Sequence, residues 1–345
     1  MPTKSGPLTE AILTNKRPSW DDIVHNINED GMVKNPFLSL LKSDKEPVQM
    51  VSNWAADDLD GGGYGGKVDN APAGTAKSKL AGSLSNASEW NEEVWKVSKL
   101  AGVTDEFGIP SKDSINRQKK AALNRLLNGQ EKLFLSEQDA AMASGETPYR
   151  CRGIGKILAT GDHNAAFPVP ENLAVPASCI HAGTLAAFTE SVLEGMLSAA
   201  STLLEEPVVY DAFVGPSLKR AMDVFAARDP VASASNVALR TFNQNASDKE
   251  FLSMVDVFRF SVGTVRTHIS YHLFCSAAGA RDAVLSAAGG YFLDMRRYKI
   301  AFNQSIKHLD LPKDNSGVSG VYDYICTLKY GVPKGQCMVR PSALS

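Results

Sequence analysis

Apolar positions recur at helical spacing in one long run. Ser111 is an N-cap residue, Ala122, Leu126 and Leu133 share a stripe with Leu123, Leu127 and Phe134 beside it, and Gly145 closes the run. With no proline in between, the pattern predicts one helix over about 111–143. At about 1.5 Å per residue it would form a rod about 45 Å long, with Gly129 its weak point at about 1 kcal/mol relative to alanine. Shorter helices are predicted at Thr184–Leu204 and Ser217–Ala227.

Strand-like runs are read at Val208–Tyr210, Val237–Phe242, Phe251–Phe260, Thr264–Leu273, Tyr291–Tyr298, Val321–Tyr330 and Gln336–Arg340, with Ser261-Val262-Gly263 turning the third into the fourth. Helices and strands mix without a βαβ rhythm, so the fold class is α+β.

Two segments do not fit one compact core. Residues 1–19 are polar, Trp20, Ile23, Val24 and Ile27 make a brief amphipathic turn, and Gly31 with Asn35-Pro36 ends it. The anchor Phe37, Leu38, Leu40 and Leu41 follows, a cluster that needs a groove to fill. Between residues 46 and 100, the β-prone pieces Val48–Val51 and Glu93–Val97 flank a middle rich in small residues, whose tip is Asp60, Gly61, Gly62, Gly63, Tyr64, Gly65, Gly66 and Lys67. This reads as a long two-stranded loop carrying Trp54, Trp90 and Trp95 on its arms. Loops beyond about 15 residues are usually functional and a lone hairpin is marginal in water, so arm and loop are expected to rest on other copies of the chain.

Composition narrows the function. The 345 residues are 43% hydrophobic and 21% charged, with a formal net charge of −2. There is no whole-chain cationic footprint for holding nucleic acid by counterion release; an enclosed polymer would slide. The five cysteines, an odd number without a CxxC pair, suggest neither a disulfide framework nor a zinc ribbon and read as reduced thiols. Met1–Arg17 lacks an apolar h-region, and Leu185–Leu204 is interrupted by Glu190 and Glu194, so neither a secretory leader nor a membrane span is expected.

Each chemical motif has a plainer reading. Gly61-x4-Gly66-Lys67 resembles a phosphate loop, but Val68 lacks the metal-binding hydroxyl and no helix pattern begins there. His268, His272 and Cys275 offer three metal ligands without a fourth, and no HExxH is present, so interfacial histidines are the simpler reading. Cys151 lies between Arg150 and Arg152, yet reads as a surface thiol at the end of the long helix. Arg296-Arg297 and Lys119-Lys120 read as solvated faces or intersubunit ion-pair donors. Acid, base and nucleophile do not assemble, and no catalysis, cofactor or metal is expected.

Taken in order, the pieces resemble the major capsid proteins of tailed bacteriophages with the Hong Kong 97-type fold. The resemblance runs from Trp20-Asp21-Asp22-Ile23 through Asn35-Pro36-Phe37-Leu38, Val51-Ser52-Asn53-Trp54, Trp90-Asn91-Glu92 and Leu100-Ala101-Gly102-Val103 to the long helix. It continues at Val255–Val265, Gly290–Asp294 and Val321–Leu328, with Asn35 where the family has threonine. It implies an N-terminal arm (1–46), an extended loop with flanking strands (47–107) and a peripheral domain with a spine helix (108–182, completed by parts of 250–345). An axial domain (183–290) and C-terminal strands (291–345) complete the division.

By that resemblance the chain would self-assemble through pentamers and hexamers into an icosahedral virion shell around double-stranded DNA, in the host cytoplasm. A portal at one vertex, a separate scaffolding protein and a decoration protein are the implied partners, and no membrane is. The intersubunit contacts would be Phe37, Leu38, Leu40, Leu41, Trp54, Gly61 to Lys67 and Trp90, with Lys67 a candidate for an isopeptide to the next subunit. The rival readings are an encapsulin-like nanocompartment shell and, from another class, a soluble hydrolase.

Overall fold

The structure, a computed structural model, describes residues 35–44, 49–56, 82–97, 113–145, 147–159, 163–227, 256–270, 289–312 and 317–340. The Trp20–Ile27 turn, the tip Gly61–Lys67, the expected strand Val237–Phe242, and His272 and Cys275 lie outside them.

Two sheets carry the fold. The first has the order β1 (Lys42–Asp44), β10 (Tyr298–Asp310), β11 (Val318–Tyr330) and β4 (Glu89–Val97). Here β1 joins β10 in parallel, while β10–β11 and β11–β4 are antiparallel. The second has six strands in the order β5 (Ile180–His181), β12 (Cys337–Val339), β9 (Gly290–Leu293), β6 (Val208–Val214), β8 (Gly263–Ile269) and β7 (Val257–Phe260). Its β5–β12 and β6–β8 pairs are parallel and the others antiparallel. A separate two-stranded ladder joins β2 (Val51–Ala56) to β3 (Gly82–Ala87). Each sheet draws its strands from distant parts of the chain.

Among the described residues the α-helices are α1 (Pro36–Leu40), α2 (Asp113–Phe134), α3 (Ile154–Ile157), α4 (Glu190–Leu204) and α5 (Pro216–Ala227). The long helix α2 has 22 residues, about 33 Å, and stops well short of Ala143. Tertiary hydrogen bonds end it. The Ser136 hydroxyl and amide both donate to Leu133 O, and the Gly153 and Gly155 amides donate to Gln138 O and Ser136 O at 3.0 Å. Gly153 is required for that approach, since a Cβ there would lie 2.3 Å from Ser136 O.

Three other expectations change. The hairpin ladder is β2 with β3, whereas Glu93–Val97 belongs to β4 in the four-stranded sheet, so of the three tryptophans only Trp54 lies on the hairpin. The run Tyr291–Tyr298 splits at Asp294, whose carboxylate accepts the Arg296 amide, and β10 then continues to Asp310. The segment 184–204 opens with a 3₁₀ turn at Leu185–Ala187 before α4 begins at Glu190.

One hydrophobic core spans both sheets, joining Phe213, Val265 and Tyr291 of the six-stranded sheet to Ile300, Leu328 and Tyr330 of the other. A smaller cluster under α2 packs Trp95 and Val97 against Ile115 and Ala122. Gly335, at φ +82°, makes the turn into β12, and a Cβ there would fall 2.6–2.8 Å from the Leu204 side chain. Gly335→Ala is therefore expected to destabilise the subunit by about 2 kcal/mol, read as a lower midpoint in urea with an unchanged slope.

Candidate functional site

The anchor segment closes on its own chain. Phe37, Leu38 and Leu41 are buried, and the Phe37 ring meets Phe213 of β6 at 5.2 Å, Phe134 of α2 at 6.3 Å and Tyr298 of β10 at 6.4 Å, each edge-on. The Phe37 and Leu38 amides donate to Glu131 Oε1 and Oε2 at 3.1 and 2.9 Å. These are the orphan amides of α1, which begins at Pro36 with no side-chain cap from Asn35. Burial pushes the Glu131 carboxyl up to about 8, against the pull of the two amide donors. Leu40 is the only anchor side chain left partly outside, at 37% exposure. The groove predicted for the anchor lies within the same subunit.

The hairpin root is braced from several directions. Trp54 Nε1 donates to Tyr330 O at 2.7 Å and its ring stands edge-on to Tyr330 at 5.3 Å. Below it, the buried Asn86 side chain accepts from Arg152 N at 2.8 Å and donates to Leu328 O at 2.9 Å. The buried Arg152 guanidinium reaches Asp139 Oδ1 at 2.7 Å, Phe167 O at 2.7 Å and the Tyr330 hydroxyl at 3.3 Å. Glu89, also buried, accepts from Gln138 Nε2 and Cys151 N at 2.7 and 2.9 Å. Polar groups taken out of water and satisfied by several elements fix one geometry, so the excursion beyond Ala56 and Gly82 starts from a rigid base.

The four-stranded sheet has two unlike faces. One meets α2 through Trp95 and Tyr322, with His308 packed against both rings. On the other, register places Leu309 beside Val321 and Val321 beside Val94, with Ile325 beside Trp90. Leu309, Trp90 and Val94 are 61%, 60% and 49% exposed. The large apolar side chains of this face stand in two rows, Leu309–Val321–Val94 across three strands and Ile325–Trp90 at the β4 edge nearer the hairpin root, with the charged row Lys307–Asp323–Glu92 between them. Of its members the sequence reading had singled out Trp90. The available signal was apolar residues on both parities of Glu89–Val97: Trp90 and Val94 on one, Trp95 and Val97 on the other.

The chemically suggestive residues have structural occupations. Cys151 is buried rather than at the surface, and loss of solvent pushes its thiol up to about 12. His268 pairs with Asp211 at 3.0 Å and stacks on Phe213 at 5.5 Å. His308 accepts the Trp95 indole N–H at 3.2 Å, and burial, with the Lys119 charge, holds it below the ordinary histidine range. Lys119 is itself buried, its ammonium 5.0 Å from the Trp95 ring centre. Arg296 and Arg297 pair within the chain, at 2.8 and 3.3 Å from Asp294 and 3.4 and 3.7 Å from Glu206. Among the described residues no group of three or more His, Cys, Asp or Glu could hold a metal ion, and no helix is long and apolar enough to cross a membrane.

A family model described as SU10 major capsid protein matches residues 7–342. No curated protein matches the chain. Among solved structures, the fold is similar to a chain of the Cyanophage A-1(L) capsid asymmetric unit, at 15% identity and TM-score 0.60 over 97% of this chain and 100% of that one. It is similar to a chain from Mycobacterium phage Bobi at 9% identity, TM-score 0.52, over 89% and 90%. A third similarity, at 13% identity, TM-score 0.51, over 90% and 91%, is to a structure described as the capsid of a native GTA particle computed with C5 symmetry. At these identities the likeness to solved structures is one of fold.

Proposed function

This chain belongs to the SU10 major capsid protein family, and from that premise we propose that its copies join into pentamers and hexamers of an icosahedral head through two surfaces, the braced hairpin and the apolar strip Trp90–Val94–Leu309. The strip carries the reading. Large apolar side chains on one sheet face, each with about half or more of its surface in solvent, mark a surface that another molecule covers. The residues 57–81 between the hairpin strands are the segment a neighbouring copy would receive there. Phe37, Leu38 and Leu41 act inside the subunit, and Leu40 is the anchor residue placed to touch a neighbour.

In this reading the arm is residues 1–46, the extended loop with its flanking strands 47–107, the peripheral domain 108–182 completed by parts of 250–345, the axial domain 183–290, and the C-terminal strands 291–345. The head encloses double-stranded DNA without sequence readout, forms in the host cytoplasm around a separate scaffolding protein, carries a portal at one vertex and takes a decoration protein outside. A nanocompartment shell gains no support of its own from the strip.

Many modest contacts add up because every contact after the first is intramolecular. Trp90→Ser with Leu309→Ser is therefore expected to leave the subunit within about 0.5 kcal/mol of wild type while shell yield falls at least about tenfold, measured by sedimentation and negative-stain microscopy. Wild-type shells from that variant would remove the strip from the interface. Deleting Asp60–Lys67 is expected to give a folded subunit that likewise fails to close shells.

A further inference from the structure

Cys179 and Cys337 stand 158 positions apart in sequence, yet the fold makes them neighbours. Strand β5 runs parallel to β12 with Met338 opposite Ile180 and Val339 opposite His181, and one step back along both strands sets Cys337 against Cys179. Both side chains are buried, and the parallel register sets them side by side on the same face of the sheet. The position of Cys337 is fixed by the turn before it, where the Tyr210 hydroxyl donates to Gly335 O, and by its own contact with Met196 O at 3.7 Å. Cys151 and Cys326, by contrast, sit in the polar brace and the core of the other sheet.

We propose that Cys179 and Cys337 form a built site for peroxide-driven disulfide closure, joining β5 to β12. The contact with the Cys337 sulfur holds Cys179 below the ordinary thiol range, which makes Cys179 the attacking sulfur, while Cys337 stays well above it. The Cys179 thiolate attacks one peroxide oxygen, the O–O bond breaks, and the departing hydroxide takes up a proton as water. Cys337 then attacks the resulting sulfenic sulfur, the S–S bond forms, the S–O bond breaks, and a second water leaves. Two thiols and one hydrogen peroxide thus give one disulfide and two waters.

Access comes from the sheet edge. Strand β5 has two residues and one neighbour, and short edge strands open locally at little cost. The cross-link depends on this register alone and stands whether or not the shell reading holds. In a particle released from a reducing cell into an oxidising medium it would fasten the C-terminal strand to the body after folding is complete.

The test treats the full-length protein with graded hydrogen peroxide, alkylates remaining thiols after denaturation, and analyses unreduced digests by mass spectrometry. A cross-linked peptide pair joining Cys179 to Cys337 is expected, with Cys151 and Cys326 still alkylated. The oxidised protein should melt about 5 °C higher than the reduced one, a shift absent from the Cys179→Ser/Cys337→Ser double variant. Cys337→Ser should stop at a Cys179 sulfenic acid trapped by dimedone, and Cys179→Ser should leave Cys337 reduced. If both thiols remain alkylatable at peroxide levels that oxidise methionine, or if Cys179 links to another cysteine instead, the proposal is wrong.

Discussion

Replacing Phe37 by alanine is expected to lower the stability of the isolated subunit by about 3–5 kcal/mol, the range for removing a fully buried aromatic ring. The ring has no exposed surface and touches one aromatic residue from α2 and one from each sheet, so the vacated space is bounded by three elements that cannot all collapse into it. Edge-on aromatic pairs add about 0.5–1.5 kcal/mol each beyond their area. Urea unfolding of unassembled protein measures the effect, and Leu40→Ala should shift the midpoint far less. An unchanged midpoint for Phe37→Ala together with failed shells would return the ring to an interface between copies.

Raising the pH from 5 to 8 is expected to weaken the fold through Glu131, and removing its carboxylate should abolish that slope. The folded carboxyl sits at about 8 against an ordinary value of 4.5. Between those limits the folded chain keeps a proton that the unfolded chain releases. The stabilisation is thus complete below about pH 4.5 and is lost as pH rises through the window, at up to about 1.4 kcal/mol per pH unit. Glu131→Gln offers one acceptor to two buried amides and leaves the other facing an NH₂ group, a cost of about 1–3 kcal/mol at pH 5. The wild type loses about 3–4 kcal/mol between pH 5 and 8 while the variant does not, so the gap should close and then reverse before pH 8. Other titrating groups, His308 among them, contribute to both proteins and cancel in that difference. Two parallel pH–stability curves would show that Glu131 is ionised throughout.

The sequence displayed the order of elements well where one periodicity dominated. The stripe Ala122–Leu126–Leu133 marked α2, and the alternation through Tyr322, Tyr324 and Cys326 marked β11, because each presents one face to one partner. Its errors came where distant segments decide the outcome. The local signal at Leu135-Ser136 is slight, a serine that turns back onto Leu133 O, and the amides of Gly153 and Gly155 complete the stop from the far side of a turn. Strand β10 hid behind Asn303-Gln304-Ser305, polar residues that interrupt its apolar alternation and coincide with irregular register against β11. Nothing in the sequence marks Glu131 or Arg152 for burial, which depends on distant partners: the anchor amides for the one, Asp139 and the Phe167 carbonyl for the other. The anchor itself was correctly read as needing a groove, but an apolar cluster does not say whose groove it fills. For the strip, Trp90 stood out by size, whereas Val94 and Leu309 matter only once register sets them in one row.

The seating of Phe37 between α2 and both sheets has a mechanical consequence. Tension arriving along the backbone at Asn35 meets no slack tether: it bears at once on a side chain wedged among three elements and on two amides gripped by Glu131. Force applied to that end of the polypeptide would therefore be shared by the entire subunit, and the first thing to yield would be the joint with a neighbour.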